Sequence, residues 1–329
     1  MRAWRVHELG DPKEALKLEE VEEPEPGPGE VVVEVEAAAL NFFDILLCQG
    51  KYQERPPLPF TPGAEVSGTV VEAGDDVGLA TGTRVIATPP LPKGGFAEKV
   101  TVPVEGSVFP IPDRMPYEAA AAMHLAYQTA HVGLHRRAGL KEGETILVHA
   151  GAGGVGSAAI QLARTAGARV ISTAGGSEKV EICRALGAEI AVDYKEENFV
   201  DVVKEATEGR GADVILDSVG GDVFDLSRKC VAFEGRIVVV GFTSGRIADA
   251  PTNHLLVKNY SVVGLHWGLY GKVMPELFDE THDALIELYE SGKIDPLIFK
   301  TVPFEEVPDA LELLGSRKTY GKLVTTPGG

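Results

Sequence analysis

Three glycines at fixed spacing are the residues whose chemistry is most readily interpreted. Gly151, Gly153 and Gly156 form G-x-G-x-x-G in HAGAGGVG, directly after the apolar run TILVHA and before a helical segment. Glycine lets the backbone approach a pyrophosphate closely, and a helix N-terminus offers N–H donors at the positive end of its dipole. Because strand, loop, helix and second strand follow one another in order, the pattern predicts a dinucleotide-binding loop that also includes Gly154 and Val155.

The end of the next strand indicates which dinucleotide the loop prefers. NAD-specific folds place an acidic residue there, where it accepts hydrogen bonds from the ribose 2′-hydroxyl. This chain reads ISTAGGSEK instead, in which Gly175 and Ser177 bring no carboxylate and Lys179 brings a positive charge suited to a 2′-phosphate. Glu178 suits the dipole of the helix that follows. The sequence therefore favours NADPH over NADH.

The elements that must position these residues change character along the chain. The first third contains the runs VVVEVEAAAL, EVSGTVVEAG, TRVIATPP and FAEKVTVP, which alternate as in a sheet half exposed to solvent. A long helical stretch follows, and then six short apolar runs, from ETILVHA to YSVVGLHW, separated by helical segments. These runs predict a parallel sheet covered on both faces. The tail, a long amphipathic helix and short strands ending in YGKLVTT, is expected to fold back onto the first β region.

Composition limits the class of protein. A chain of 329 residues suits two domains. The 31 basic and 49 acidic residues give a net charge of −18, which argues against nucleic acid and anionic membrane surfaces as partners. The start, MRAWRVHELG, has no apolar signal region, and no apolar run is long enough to span a membrane, so a cytoplasmic location is expected. The three cysteines are too scattered for a disulfide framework or a Cys-rich zinc site.

Motifs along the whole chain resemble a known family. LNFFDILLCQGKY, PGAEVSGTVVEAG, GGFAEKVTVP, HAGAGGVG, ALGAEIAVDY and TYGKLV are similar to those of the zinc-independent quinone oxidoreductases in the medium-chain dehydrogenase/reductase superfamily. The resemblance implies an α/β fold class: a GroES-like β domain of residues 1–124, completed by 263–329, and an inserted Rossmann domain of residues 125–262. The Rossmann domain would hold a doubly wound parallel sheet, and the nicotinamide would lie in the cleft between the domains.

The resemblance also implies a reaction without a metal. Zinc-containing alcohol dehydrogenases of this superfamily have Cys where Asn41 stands and His where Ala64 precedes Glu65. Catalytic zinc needs three protein ligands, and only one carboxylate remains here. The scattered histidines show no ligand-like spacing. Without zinc, the easiest hydride acceptors are electron-poor molecules such as quinones, enones and enoyl thioesters, which the protein needs only to align and to hydrogen-bond.

Candidate site residues follow from the same resemblance. Asn41 would lie beside the nicotinamide and donate to a developing oxyanion, or would satisfy local turn backbone. Tyr52 would donate a hydrogen bond or a proton, or would pack under the following proline-rich loop, and Asp44 would orient Asn41 or its loop. Leu46 stands where bacterial quinone reductases often have a second tyrosine, which weakens the transfer of quinone specificity. The implied cofactor contacts are Thr129 near the carboxamide, Tyr194 at the adenosine phosphate, Gly241 and Phe242 at the nicotinamide ribose, and Lys322 in the closing C-terminal segment.

The leading interpretation is two-electron reduction of quinones or related α,β-unsaturated carbonyls by NADPH. One alternative is an enoyl-CoA or enoyl thioester reductase, because GAGGVG and QGKY are shared with that branch. Its CoA phosphate would need a basic patch, for which His135-Arg136-Arg137 and Arg317-Lys318 are candidates. Another alternative is a non-catalytic NADPH-binding protein, either crystallin-like or redox-sensing. The strand SVVGLHW is expected at a sheet edge that relatives pair across a two-fold axis, so a homodimer is predicted.

Overall fold

A computed structural model describes residues 1–328, which form two compact units. The strands are β1 (Arg2–Val6), β2 (Leu16–Glu20), β3 (Glu30–Leu40), β4 (Val66–Ala73), β5 (Arg84–Ala87), β6 (Lys99–Pro103), β7 (Val108–Pro110), β8 (Thr145–Val148), β9 (Arg169–Ala174), β10 (Ile190–Asp193), β11 (Ala212–Asp217), β12 (Val231–Val239), β13 (Ser261–Gly264), β14 (Ile298–Pro303) and β15 (Lys322–Thr326). The α-helices are α1 (Pro12–Ala15), α2 (Phe42–Cys48), α3 (Tyr117–His131), α4 (Gly154–Thr165), α5 (Ser177–Leu186), α6 (Phe199–Ala206), α7 (Gly221–Ser227), α8 (Thr252–Lys258), α9 (Trp267–Val273), α10 (Glu276–Glu290) and α11 (Val307–Gly315). A π-helical segment (Val132–Arg137) continues α3, and a 3-10 turn (Phe304–Glu306) precedes α11.

Unit 1 comprises Met1–Leu125, Pro275–Ile286 and the chain from Asp295 onward, and unit 2 comprises Ala126–Met274 and Glu287–Ile294. The division falls inside the helices α3 and α10. The predicted return to the β domain at residue 263 falls within β13, which pairs with β12 and so lies in unit 2. None of the helices in residues 1–328 is both long enough and apolar enough to cross a membrane.

Unit 1 is organised by a seven-stranded sheet of order β14-β15-β3-β4-β5-β7, with β6 also pairing to β3. Val31, Val33 and Val35 alternate along β3 and pack into one apolar core, as β-branched residues do on one face of a sheet. The C-terminal strand β15 pairs antiparallel with β3, with Val324 opposite Ala39. The C-terminal strand therefore joins the sheet that the first β region forms.

Unit 2 contains a six-stranded sheet of order β10-β9-β8-β11-β12-β13 in which all neighbouring strands are parallel. The strand order reverses between β8 and β11, which is where doubly wound sheets bind ligands. Ile146, Leu147 and Val148 are completely buried, as expected for a strand covered on both faces. The predicted α/β class, with a β domain and a parallel Rossmann-type sheet, is confirmed.

The helix α11 departs from the sequence prediction. The pattern predicts only short strands after α10, whereas residues 304–315 form the 3-10 turn and α11. Pro308 suits the first helical turn, and Val307, Ala310 and Leu311 are buried at helical spacing against the core of unit 1. The segment is short, so its periodicity is weak in the sequence alone.

Candidate active site

The turn from β3 into α2 fixes the first group of polar residues. Asn41 is the N-cap of α2, and its backbone N–H donates to Asp44 Oδ2 at 2.8 Å. The other carboxylate oxygen of Asp44 accepts from the N–H of Gly63 at 3.1 Å. Burial raises the pKa of Asp44 to about 7, against the two N–H bonds that lower it. Gly63 has a φ of 101°, and a Cβ there would lie 2.6 Å from the backbone nitrogen of Phe96, so this turn requires glycine.

A buried ion pair lies beside Asn41 because two strands pair with β3. Glu65 directly precedes β4 and Lys322 begins β15, and both strands are neighbours of β3. Lys322 Nζ donates to Glu65 Oε1 at 2.6 Å, while Glu65 Oε2 accepts from the backbone N–H of Leu125 at 2.7 Å. Glu65 is fully buried and Lys322 is 6% exposed. Loss of either charge would leave its partner buried and unpaired, at a cost of about 3–5 kcal/mol.

The side-chain amide of Asn41 completes this cluster. Its Oδ1 accepts from Lys322 Nζ at 2.5 Å, and its Nδ2 donates to Glu65 Oε1 at 3.0 Å and to the carbonyl of Ala39 at 3.3 Å. An oxygen faces the ammonium and a nitrogen faces the carboxylate, so the amide has one favourable orientation. The structure therefore brings Asn41, Asp44 and Lys322 together in unit 1. Sequence reasoning missed Glu65 as the residue that links Asn41 to Lys322.

Tyr52 lies after α2 and packs against an aromatic ring. Its ring centroid is 5.4 Å from that of Phe43, and both side chains pack against the core of unit 1. Burial raises the pKa of Tyr52, with a further contribution from Glu54. The phenol is therefore protonated at neutral pH and keeps a proton to donate.

The glycine loop of unit 2 lies between β8 and α4, and close contacts there explain why glycines occur at this spacing. A Cβ on Gly156 would lie 2.2 Å from the carbonyl oxygen of Ala150, and a Cβ on Gly151 would lie 1.8 Å from Ser172 Oγ. Gly153 is the N-cap of α4, whose first turn holds the N–H groups of Gly154, Val155 and Gly156. Such first-turn N–H groups have no acceptor inside the helix, so this loop fits an anion such as a pyrophosphate.

A second polar region of unit 2 follows β9 and β10. A Cβ on Gly175 would lie 2.4 Å from the Tyr194 hydroxyl, so the phenol lies directly against this backbone. Lys179 is half-buried, and burial lowers its pKa, with a further contribution from the neighbouring ammonium of Lys195. Ser177 is exposed at the start of α5. Sequence reasoning missed Lys195, although the residues DYK at the end of β10 carry it next to Tyr194.

The remaining cofactor candidates of unit 2 lie after β11 and β12 and in α3. The N–H of Thr243 donates to the carbonyl of Ser218 at 3.1 Å, which ties the loop after β12 to the loop after β11. Phe242 is 39% exposed, and a Cβ on Gly241 would lie 3.4 Å from the same Ser218 carbonyl oxygen. Thr129 is buried in the part of α3 that belongs to unit 2.

Comparison with known proteins places this geometry in a family. Residues 27–113 match the alcohol dehydrogenase GroES-like domain family, and residues 154–285 match the zinc-binding dehydrogenase family. Over 98% of its length the chain is 43% identical to a quinone oxidoreductase-like protein 2 homolog of Nematostella vectensis, of which it covers 88%. The chain belongs to the quinone oxidoreductase family of the medium-chain dehydrogenase/reductase superfamily.

Solved structures of similar oxidoreductases agree with this membership. A mycobacterial protein complexed with NADPH is 32% identical, with a TM-score of 0.92 over 99% of this chain and 100% of that one. The quinone oxidoreductase of Escherichia coli complexed with NADPH is 30% identical, with a TM-score of 0.91 over the same shares of the two chains. This quinone oxidoreductase-like protein is thus an oxidoreductase whose homologues bind NADPH.

The family that matches residues 154–285 is named for zinc binding, but the potential metal ligands of this oxidoreductase differ from those of a zinc site. Among residues 1–328, no group of three or more His, Cys, Asp or Glu side chains is arranged to hold a metal ion. Where zinc-containing relatives have Cys and His, Asn41 and Ala64 stand, and Glu65 bonds Lys322 instead.

Proposed function

We propose that this protein transfers a hydride from NADPH to quinones or related α,β-unsaturated carbonyls without zinc. The observation that carries the proposal is the glycine loop of unit 2 together with two neighbouring lysines, Lys179 after β9 and Lys195 after β10. Membership in the quinone oxidoreductase family supports the acceptor class. Bound NADPH would supply the hydride.

Different residues of unit 2 would bind different parts of NADPH. The first-turn N–H groups of α4 would hold the pyrophosphate. Lys179, Lys195 and the Tyr194 hydroxyl would hold the 2′-phosphate, since two cations and a phenol suit a dianion. Gly175 leaves room for Tyr194 at this position. Thr129, Gly241 and Phe242 would contact the nicotinamide end.

The residues of unit 1 would act on the acceptor. An electron-poor carbonyl needs no metal to accept a hydride, but its oxygen gains negative charge that a fixed donor stabilises. Asn41 would supply that donor, with Asp44 holding its backbone. Tyr52 would supply a proton, since its phenol is protonated at neutral pH. A quinone would gain one hydride and one proton and leave as a hydroquinone.

Two of the basic residues that a CoA substrate could use, Arg136 and Arg137, make contacts within unit 2. Arg137 Nε donates to the carbonyl of Gly264 at 3.0 Å, and an Arg136 guanidinium nitrogen lies 3.3 Å from the sulfur of Met274. Both contacts hold the π-helical segment against its own unit.

We also propose a homodimer formed through β13. This strand lies at the edge of its sheet, and an unpaired edge invites a partner strand. Large apolar side chains on α8 are highly exposed, with Leu256 at 78% and Val257 at 76%. Light scattering should give the mass of two chains, and a monomeric mass would contradict the proposal.

The test of the proposed function is stopped-flow oxidation of NADPH with a panel of acceptors. The panel contains 1,4-benzoquinone, 9,10-phenanthrenequinone, an alkenal and crotonyl-CoA, each with and without a chelator, and NADH replaces NADPH as a control. Fast turnover of a quinone or the alkenal that survives the chelator supports the proposal. Preference for crotonyl-CoA would assign the protein to the enoyl reductases, and no turnover with any acceptor would leave a nucleotide-binding role.

A further inference from the structure

Every polar atom of the Asn41 amide is engaged inside unit 1. Oδ1 accepts from Lys322, and the two Nδ2 protons go to Glu65 and to the carbonyl of Ala39. Asn41 can therefore donate to an acceptor only by exchanging one of these bonds. The bond to Ala39 is the longest, at 3.3 Å, and its loss leaves the two charge-assisted contacts intact.

Lys322 controls both the orientation and the donor strength of that amide. An ammonium has no acceptor atom, so a flipped amide would bring N–H groups against N–H groups. A cation bonded to a carbonyl oxygen also draws electron density from the amide nitrogen, which strengthens its N–H donors. The effect is large where water is excluded, and Lys322 is 6% exposed. Glu65, fixed by the N–H of Leu125, holds the ammonium in place.

We propose that Lys322 is a positioning residue for reduction of the acceptor. Its ammonium orients and polarises the Asn41 amide, so that the N–H now bonded to Ala39 is given to the acceptor oxygen as that oxygen gains charge. This role rests on the proposed function and assigns Lys322 to the acceptor rather than to the cofactor. No atom of Lys322 is transferred in the reaction. NADPH would still supply the hydride and Tyr52 the proton.

A single substitution cannot test this role, because Lys322→Met leaves the buried Glu65 carboxylate without its cation. The double variant Lys322→Met with Glu65→Gln removes both charges at nearly constant volume, a change that folded proteins often tolerate. Lys322→Arg keeps the cation. Lys300→Met is the matched control, because Lys300 lies on the neighbouring strand β14 with a 57% exposed side chain.

The measurements are kcat and KM for a quinone, the dissociation constant of NADPH, and Tm. For the double variant we expect a Tm close to that of the unmodified protein, unchanged NADPH affinity, and a kcat lower by about 10²-fold, the usual cost of one oxyanion donor. Lys322→Arg should recover most of the lost kcat, and Lys300→Met should match the unmodified protein. The proposal would be overturned if the double variant kept both the Tm and the kcat of the unmodified protein.

A second measurement holds if the double variant folds poorly. Since Lys322 acts through Asn41, Lys322→Gln, which keeps an N–H donor but loses the cation, should lower kcat in the native background but not in a background that already carries Asn41→Ala. Equal effects in both backgrounds would overturn the proposal. If the unmodified protein reduces none of the acceptors, the proposed function fails. If it reduces them and the Lys322 substitutions leave kcat unchanged, only the role of Lys322 fails.

Discussion

Two buried histidines, one in each unit, should make the protein sensitive to acid. His124 packs on Phe109, with ring centroids 4.7 Å apart, and burial lowers its pKa to about 3. His149 contacts Thr173 Oγ1 and Ser227 Oγ, and burial lowers its pKa to about 4. In the unfolded chain each histidine titrates with a pKa of 6.5. Between these values the unfolded state binds more protons, so the free energy of unfolding falls as the pH falls.

The size of the effect follows from the two pKa values of each group. From about pH 7 to about pH 5, each histidine should remove about 2 kcal/mol from the free energy of unfolding. Asp44 acts in the opposite direction. Its folded pKa of about 7 lies above its unfolded value of 3.8, so its contribution to the free energy of unfolding rises by about 2 kcal/mol as the pH falls over the same interval. The net loss from these three groups is therefore about 2 kcal/mol.

The assay is urea unfolding at several pH values, followed by a probe in each unit, for the native chain and for His124→Phe with His149→Asn. The Asp44 contribution is common to both proteins and cancels in the difference. Relative to its own value near pH 7, the variant should lose about 4 kcal/mol less than the native chain on acidification. Parallel pH profiles for the two proteins would refute the reasoning.

Two further predictions concern the nucleotide. Gly156→Ala should abolish NADPH binding in calorimetry, because the new Cβ would lie 2.2 Å from the carbonyl oxygen of Ala150. Gly153→Ala should weaken binding less, because its Cβ would lie 3.2 Å from the same atom. Equal losses of affinity would contradict the assigned geometry. Lys179→Ala and Lys195→Ala should each weaken NADPH binding about 10-fold, the value of one charge-assisted bond, without affecting NADH. A parallel loss of NADH affinity would show that these lysines do not recognise the 2′-phosphate.

The sequence predicted the features that leave a local trace. The six strands of unit 2 are predicted because each is a short run rich in Val and Ile, and Gly151 and Gly156 because they complete G-x-G-x-x-G directly after a strand. The cluster of Asn41, Glu65 and Lys322 left no such trace. Lys322 is 257 residues from Glu65 and 281 from Asn41, and their contact depends on which strands lie beside β3.

Two other features were missed for related reasons. The proximity of Lys195 to Lys179 depends on the turn after β10, which residue types alone do not specify. The helix α11 is short, and packing against unit 1 stabilises it more than its own propensity does. In each case tertiary contacts decided what the local pattern left open.

The pairing of β15 with β3 also sets an order of events during synthesis. Almost all of unit 2, including the glycine loop, is encoded between residues 126 and 274, so its sheet can form while the ribosome is still adding the remainder. The strand that carries Lys322 emerges after nearly all of unit 2, whereas its partner β3 emerges before it. A nascent chain can thus complete its parallel sheet before the Asn41 cluster is able to form.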